Sequence, residues 1–191
     1  MAREPGDLWR ALDRSGESLA TEEDYEHGYK REVRQDLERY VAFRVGVELY
    51  GLSIRQIAEI AKVFDVTPVP RTADFVLGIG NVRGSVIPVI DLFKRLRLSG
   101  ERMIGRFART LIVRHDDELY GLVVDAVIDV VTIAPEDLEE APGAIAGPRG
   151  EYIRSLARIG GEILIVLELK TVLATEAFIA PGVRVLAKED A

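Results

Sequence analysis

Short runs of alternating apolar and polar residues, separated by glycine, proline and acidic turns, fill most of the chain after its first forty residues. Residues 40–45 lead through a turn at Gly46 into a second such run, residues 49–54. Residues 110–124 repeat this pattern around a polar turn at residues 115–118. Alternation with a period of two on both sides of a short turn is typical of a β-hairpin. The pattern therefore predicts two hairpins of the same kind.

The two predicted hairpins are also similar in sequence. Residues 48–52, Glu-Leu-Tyr-Gly-Leu, recur as residues 118–122, a displacement of 70. Residues 84–92 resemble residues 161–169 at a displacement of 77. Two similar segments in the same order and at nearly equal spacing indicate an internal duplication. Short strands in units of roughly 60 to 70 residues suit small closed barrels, which leave no exposed sheet edge.

The N-terminal residues differ from the rest because they carry many charges of both signs and few β-branched side chains. Tyr25, Tyr29, Val33 and Leu37 recur every four residues, which is the spacing of one helix face. One interpretation is a partly ordered, solvated extension whose helix lies on the main domain, and the other is an arm that binds a partner. Charge alone does not separate the two.

These boundaries divide the chain into a charged extension, a β domain and a C-terminal segment, namely residues 1–38, 39–175 and 176–191. Within the domain we place the first barrel at about residues 40–95 and the second at about residues 108–175. Few helices are expected. Asp91 is suited to cap a short helix that begins at Leu92.

Composition and charge add exclusions. The 191 residues include no cysteine, which excludes disulfide scaffolds, thiolate zinc sites and cysteine nucleophiles. The net charge of −7 disfavours nucleic-acid binding, which depends on a basic surface. No apolar run approaches the ~20 residues of a membrane span, and the N-terminus lacks the apolar core of a signal peptide. We predict a cytoplasmic protein that does not insert into a membrane.

Candidate chemistry is sparse, and we predict no catalytic, cofactor-binding or metal-binding residue. His115 precedes two aspartates, which suits either a metal ligand set or a solvated turn. An enzyme or small-ligand binder has no other support than this histidine and the acidic composition. The basic stretch of residues 94–109 is either a solvated connector between the halves or an electrostatic docking patch for an acidic partner.

Residues 59–92 resemble the CheW-type chemotaxis coupling proteins. The most specific part is Asn81-Val82-Arg83-Gly84, followed by Val-Ile-Pro-Val-Ile-Asp-Leu at residues 86–92. The resemblance covers about residues 38–175, although Gly80 stands where the family more often has a larger residue. It implies a mainly β fold of two five-stranded, SH3-like barrels around a shared hydrophobic centre, with a few short helices.

The resemblance also implies a non-enzymatic adaptor between chemoreceptors and a CheA-type histidine kinase. Its implied partners are the regulatory domain of the kinase, the cytoplasmic tip of the receptor and other CheW-like proteins in arrays. Such an adaptor is cytoplasmic and is recruited to receptor arrays at the membrane. The alternative is the same fold in a pathway of surface motility, development or gene regulation, with specificity supplied by the extension.

Matching this chain to the family motif assigns seven positions to the receptor groove, namely Ile57, Glu59, Gly78, Asn81, Arg83, Gly84 and Val130. The resemblance implies that Glu59 and Arg83 form an ion pair beside that groove. Packing in the core is the alternative role for Ile57, Gly78 and Val130. A requirement for positive φ is the alternative for Gly78, Gly84 and Gly121.

Overall fold

The computed structural model describes residues 37–100, 102, 104–141, 150–174 and 178. Strands dominate these residues, which confirms the mainly β class. The strands are β1 (Glu38–Val45), β2 (Glu48–Ser53), β3 (Ile57–Lys62), β4 (Val76–Val82), β5 (Ser85–Asp91), β6 (Arg109–His115), β7 (Glu118–Val124), β8 (Ala126–Ile133), β9 (Ile153–Ile159) and β10 (Glu162–Leu167). The α-helices are α1 (Leu92–Arg95) and α2 (Leu169–Val172). The predicted extension and C-terminal segment lie almost wholly outside the described residues.

Both predicted hairpins are present. The antiparallel pair β1–β2 turns at Gly46, and the pair β6–β7 turns at Asp116 and Asp117. Positive φ angles occur at three of the four turn residues, 61° at Gly46, 46° at Asp116 and 63° at Asp117. Tight hairpin turns need such angles, which glycine and aspartate tolerate best. The second turn is shorter than predicted, because His115 and Glu118 are the strand ends that flank it.

In three of these strands a tyrosine donates a hydrogen bond to the glutamate two residues before it, and one of the three is Tyr50, which donates to Glu48 Oε2. The hydroxyl of Tyr120 lies 2.7 Å from Glu118 Oε2, and that of Tyr40 donates to Glu38 Oε2. Burial of the phenol and the adjacent carboxylate raise the pKa of Tyr120 to about 12. The same causes, in the same order, raise the pKa of Tyr40 to about 12. Both phenols are therefore held in the protonated form.

The ten strands form two five-stranded sheets, each with members from both halves of the chain. The order in the first sheet is β8-β1-β2-β10-β9, and the order in the second sheet is β3-β6-β7-β5-β4. The five-stranded sheets were predicted, but the contiguous barrels at about residues 40–95 and 108–175 are wrong. Each hairpin instead shares a sheet with three strands of the other half and pairs directly with two of them. The cause is the parallel pairing of β2 with β10 and of β5 with β7.

The two sheets share the same irregularities, which confirms the duplication. Ala58 in β3 and Ile128 in β8 are extra residues in the pairing with the neighbouring strand. Leu77 in β4 and Arg154 in β9 form a second equivalent pair of bulges. The members of these pairs are 70 and 77 residues apart, the two displacements found in the sequence. Bulges at equivalent positions are inherited features of a repeated unit.

A hydrophobic core is shared between the two sheets. Phe43 and Leu52 contribute to it from the first hairpin, and Leu111 and Leu122 contribute from the second hairpin. A smaller cluster, which includes Leu164, belongs to the first sheet. The hydrophobic centre implied by the family resemblance is therefore present. Because both hairpins bury apolar side chains in it, the two sheets stabilise each other.

Each α-helix begins at an acidic residue that caps it. The carboxylate of Asp91 accepts a hydrogen bond of 3.1 Å from the backbone nitrogen of Lys94 at α1, as predicted. The carboxylate of Glu168 accepts one of 3.4 Å from the backbone nitrogen of Lys170 at α2. The two helices are thus equivalent parts of the duplicated unit, and each directly follows a strand that ends in the interior.

Arg95 connects the two α-helices and is only 6% exposed. Its Nε donates to the carbonyl oxygen of Val172 and its Nη2 to that of Thr171, both at 2.8 Å. Its guanidinium carbon lies 4.7 Å from the ring centre of Phe75 and 5.0 Å from that of Tyr152. The last carbonyl groups of a helix lack partners within the helix, and Arg95 supplies donors to those of α2. Burial lowers the pKa of Arg95.

Candidate functional site

The segment Asn81-Val82-Arg83-Gly84 forms the turn between β4 and β5. Val82 pairs with Ser85, so Arg83 and Gly84 are the two turn residues. Their φ angles are 52° and 88°, the positive values that such a two-residue turn requires. The side-chain oxygen of Asn81 accepts a hydrogen bond of 2.9 Å from the backbone nitrogen of Gly84. This turn is therefore fixed by its own sequence and projects the side chain of Arg83.

Arg83 forms the predicted ion pair with Glu59 on β3. Its Nη2 lies 2.9 Å from Glu59 Oε1. The side chain of Arg83 is 80% exposed and that of Glu59 is 33% exposed. An ion pair with this exposure contributes about 0–1 kcal/mol to stability. The pair thus orients a cation on the surface without being needed to hold the fold.

Gly78 and Gly80 lie on β4 below this turn and are both buried. A Cβ atom on Gly78, whose φ is 141°, would overlap the carbonyl oxygen of Thr67. That carbonyl accepts a hydrogen bond of 2.9 Å from the nitrogen of Ile79, so the close approach is part of the sheet edge. A Cβ atom on Gly80 would overlap the ring of Phe64, so glycine leaves the room that this ring occupies. Packing therefore accounts for Gly80, whereas close packing and a positive φ both require glycine at residue 78.

The glycine alternatives are resolved differently at the other two positions. Gly84 has a positive φ and open space around its Cα, so its conformation requires glycine. Gly121 has no positive φ, and the methyl group of Thr110 would lie 3.0 Å from its Cβ atom. Close packing, not backbone conformation, explains the glycine at residue 121.

The apolar candidates lie on the outermost strands of the two sheets. Ile57 on β3 is half-buried against the shared core, whereas Val130 on β8 is 44% exposed. The counterpart of Val130 at a displacement of 70 is Ile60, which is 42% exposed. Ile60 was not among the predicted site residues, although the internal duplication would have pointed to it. β3 and β8 thus present equivalent apolar side chains to solvent.

The structure brings some of the predicted site residues together and separates others. Hydrogen bonds and the ion pair join Glu59, Asn81, Arg83 and Gly84 in one surface cluster, which we call the Arg83 turn. Ile57 lies two residues before Glu59 on the same strand, and Gly78 is buried three residues before Asn81. Val130 belongs to the first sheet, whereas the Arg83 turn belongs to the second.

The basic stretch of residues 94–109 does not form a uniformly exposed patch. Arg95, the last residue of α1, is buried against the end of α2, and the side chain of Arg102 is only 10% exposed. Arg97 and Arg106 are exposed, and the guanidinium carbon of Arg106 lies 4.7 Å from the ring centre of Phe107. A docking patch formed by the entire stretch is therefore wrong, since two of its arginines are occupied in the interior.

Metal and membrane chemistry find little support in the described part of the chain. His115 ends β6, and its Nε2 lies 3.4 Å from Asp116 Oδ2. Within the described residues, no three side chains from His, Cys, Asp and Glu are placed to hold a metal ion together. None of the helices in these residues is long and apolar enough to span a membrane.

The model of the CheW-like domain family matches residues 39–177. This match includes both sheets and the Arg83 turn. The chain belongs to the CheW-like domain family. Its two sheets around a shared core, the turn motif and the paired Glu59 and Arg83 all lie in the matched part of the chain.

Named relatives of this CheW-like chain agree with the match. Chemotaxis protein CheW of Treponema pallidum is 36% identical over 143 residues, which are 72% of this chain and 82% of that protein. Chemotaxis protein CheW of Helicobacter pylori is 33% identical over 119 residues, 62% of this chain and 72% of that protein. The crystal structure of scaffolding protein TtCheW from Thermoanaerobacter tengcongensis has a TM-score of 0.67 and 31% identity, and covers 74% of this chain and 91% of that chain.

Proposed function

We propose that this chain is a non-enzymatic adaptor that couples chemoreceptors to a CheA-type histidine kinase. The names of its relatives, Chemotaxis protein CheW and scaffolding protein, support the proposal. We place its action in the cytoplasm, at receptor arrays. The observation that carries the proposal is the Arg83 turn, which holds a cation outward on a rigid hairpin.

The Arg83 turn has the physical properties of a recognition surface. Its backbone has positive φ at two successive residues, and Asn81 and Glu59 fix the turn and the arginine from either side. Ordering these groups before binding lowers the entropy that association would otherwise cost. Since the exposed ion pair contributes little stability, the fold does not explain its presence. A partner that contacts Arg83 explains why the ion pair is present.

We assign the cytoplasmic tip of the receptor to a surface that includes the Arg83 turn. Val130 and Ile60 supply exposed apolar contacts for the same partner on β8 and β3. Ile57 and Gly78 support this surface from within the sheet. The regulatory domain of the kinase and other CheW-like proteins bind elsewhere, because each stable interface needs roughly 800 Å² of its own.

The substitution Arg83→Glu tests this assignment, with purified receptor cytoplasmic fragment and kinase. We expect at least a tenfold weaker assembly of the ternary complex, because the reversed charge repels Glu59 and removes the guanidinium. The melting temperature is expected to change by no more than about 2 °C, since the pair is exposed. Assembly is measured by co-sedimentation and stability by circular dichroism.

Arg97→Glu is the matched control. Arg97 is also exposed and also has a positive φ, 52°, but it lies at the end of α1. It should leave assembly unchanged. Normal assembly with Arg83→Glu, or equal losses with the two variants, would remove Arg83 from the receptor surface. The charge-exchanged double variant, Glu59→Arg with Arg83→Glu, separates the roles, because recovery would mean that the partner needs the pair and not the arginine itself.

A second candidate is an adaptor for another pathway, with specificity from the N-terminal extension. It is favoured by the relative Protein FrzA of Myxococcus xanthus, whose name does not mention chemotaxis. That protein is 31% identical over 105 residues, 55% of this chain and 65% of its own length. Deletion of residues 1–36 tests this candidate. Unchanged selectivity among receptors and kinases would dismiss a role for the extension.

A further inference from the structure

Arg102 is an interior arginine in the connection between α1 and β6. Its Nη1 contacts Asp91 Oδ2 as an ion pair without hydrogen-bond alignment, and its Nε lies 3.1 Å from Asp125 Oδ1. Its Nη2 donates to the carbonyl oxygen of Val123 at 3.3 Å. The side chains of Asp91 and Asp125 are 7% and 14% exposed. One guanidinium therefore faces two carboxylates that are largely removed from water.

These two carboxylates already have other tasks, in different parts of the fold. Asp91 ends β5 and caps α1 in the second sheet. Asp125 follows β7, and its Oδ2 accepts a hydrogen bond of 2.7 Å from the backbone nitrogen of Gly46. Its own backbone nitrogen donates to the carbonyl oxygen of Arg44 at 2.9 Å. Asp125 thus joins the end of β7 in the second sheet to the tip of the β1–β2 hairpin in the first.

We propose that Arg102 is a positioning residue that locks the tip of the β1–β2 hairpin to the second sheet. It acts through Asp125, whose carboxylate it holds in the orientation that Gly46 needs. Without a cation, Asp91 and Asp125 would be two buried negative charges facing each other, and such charges are costly unless paired. The connection between the halves is then part of the architecture and not a passive link. This inference does not depend on the adaptor function.

The surroundings of Arg102 agree with this role. Its guanidinium carbon lies 6.0 Å from the ring centre of Phe93, at the outer range of a cation–π contact. A cleft of about 540 Å³ lies between the hairpin tip and the connection, lined by Gly46, Phe93, Leu98 and Asp125 among others. The ring of Phe93 lies close to Gly46 beside this cleft, and Asp125 adds hydrogen bonds to the backbone of Gly46 and Arg44.

Arg102→Met in the full-length chain tests the proposal, with Arg106→Met as the control at an exposed arginine of the same connection. We expect the melting temperature to fall by about 10 °C for Arg102→Met and by no more than about 2 °C for the control. Hydrogen exchange at the Gly46 amide should accelerate at least about tenfold, whereas exchange at the β6–β7 tip should change less than about twofold. The second readout separates positioning from a general loss of stability.

Two further variants complete the test. Asp91→Asn added to Arg102→Met should recover about half of the lost melting temperature, because it removes one of the two opposed charges. If Arg102→Met does not fold, exchange at Gly46 is measured in Arg102→Lys, which keeps the charge but not the planar fork. A melting temperature within about 2 °C of the parent, or equal acceleration of exchange at both hairpin tips, would overturn the proposal.

Discussion

The Arg83 turn and the interior site of Arg102 place the same chemical groups in opposite surroundings. At the turn, one arginine meets one glutamate in contact with water. In the interior, one arginine meets two aspartates that water barely reaches. Water can replace the partners of Arg83 but not those of Arg102. Exposure, and not pairing as such, therefore separates an arginine available for recognition from an arginine that holds the fold together.

The largest expected effect extends the comparison to two glycines of one hairpin. Gly78→Ala should lower the free energy of unfolding by about 3 kcal/mol or more, because the new Cβ meets the Thr67 carbonyl in a packed edge. Gly84→Ala should cost about 1 kcal/mol, since only the positive φ opposes it. Urea denaturation of both variants measures the difference. Equal losses of unfolding free energy in the two variants would show that the burial of the glycine does not determine the size of the effect.

Arg95 tests whether a buried arginine is essential for stability when it donates to carbonyl groups and not to a carboxylate. Arg95→Met should lower the free energy of unfolding by about 2–4 kcal/mol, because it leaves the carbonyl groups of Val172 and Thr171 without their donors. Arg97→Met, at an exposed residue two positions later, should change it by less than about 0.5 kcal/mol. Both values come from chemical denaturation. A stable Arg95→Met variant would limit the comparison to charge pairs.

The raised pKa values of Tyr120 and Tyr40 predict how the stability of the fold depends on pH. Their pKa values of about 12 in the folded chain lie above the ordinary 10. The stability linked to these shifts is complete below pH 10 and is lost as pH rises from 10 towards 12. Ultraviolet titration should find phenols that ionise late, and Tyr120→Phe should remove one. Titration of every tyrosine near pH 10 would contradict this expectation.

The smallest expected effect is on the stability of the Arg83 turn itself. Arg83→Met should change the free energy of unfolding by less than about 0.5 kcal/mol, because Glu59 can exchange its partner for water. Thermal and urea unfolding measure it. A loss comparable to that of Arg102→Met would place Arg83 among the structural arginines and end the contrast between the two sites.

Much of the local structure could be predicted from the sequence. Alternation around Gly46 and around Asp116 was enough for the two hairpins, since a period of two fixes which faces are buried. The repeated pentamer was enough for the duplication. The family motif was enough for the pair of Glu59 and Arg83, whose geometry the structure confirms.

The placement of each hairpin in a sheet with strands of the other half could not be predicted in this way. Neither could the burial of Arg95 and Arg102. Alternation indicates which side chains of a strand point inward, but it does not indicate which strand lies beside it. The parallel pairing of β2 with β10 therefore could not be recognised in the local sequence. Arg95 and Arg102 were interpreted as surface residues because charged side chains are seldom buried. Their partners, two carbonyl groups and two aspartates, are brought near only by tertiary structure.

Each hairpin lies in a sheet with strands of the other half, and this has a consequence for the origin of the chain. A peptide with a single repeat would contain a hairpin and three strands that cannot complete one sheet as they do here. Two copies of such a peptide would form these sheets if each placed its hairpin beside the strands of the other, as subunits do in a domain-swapped homodimer. The present molecule holds both copies of the repeat in one chain. Tethering both repeats frees their assembly from dependence on protein concentration.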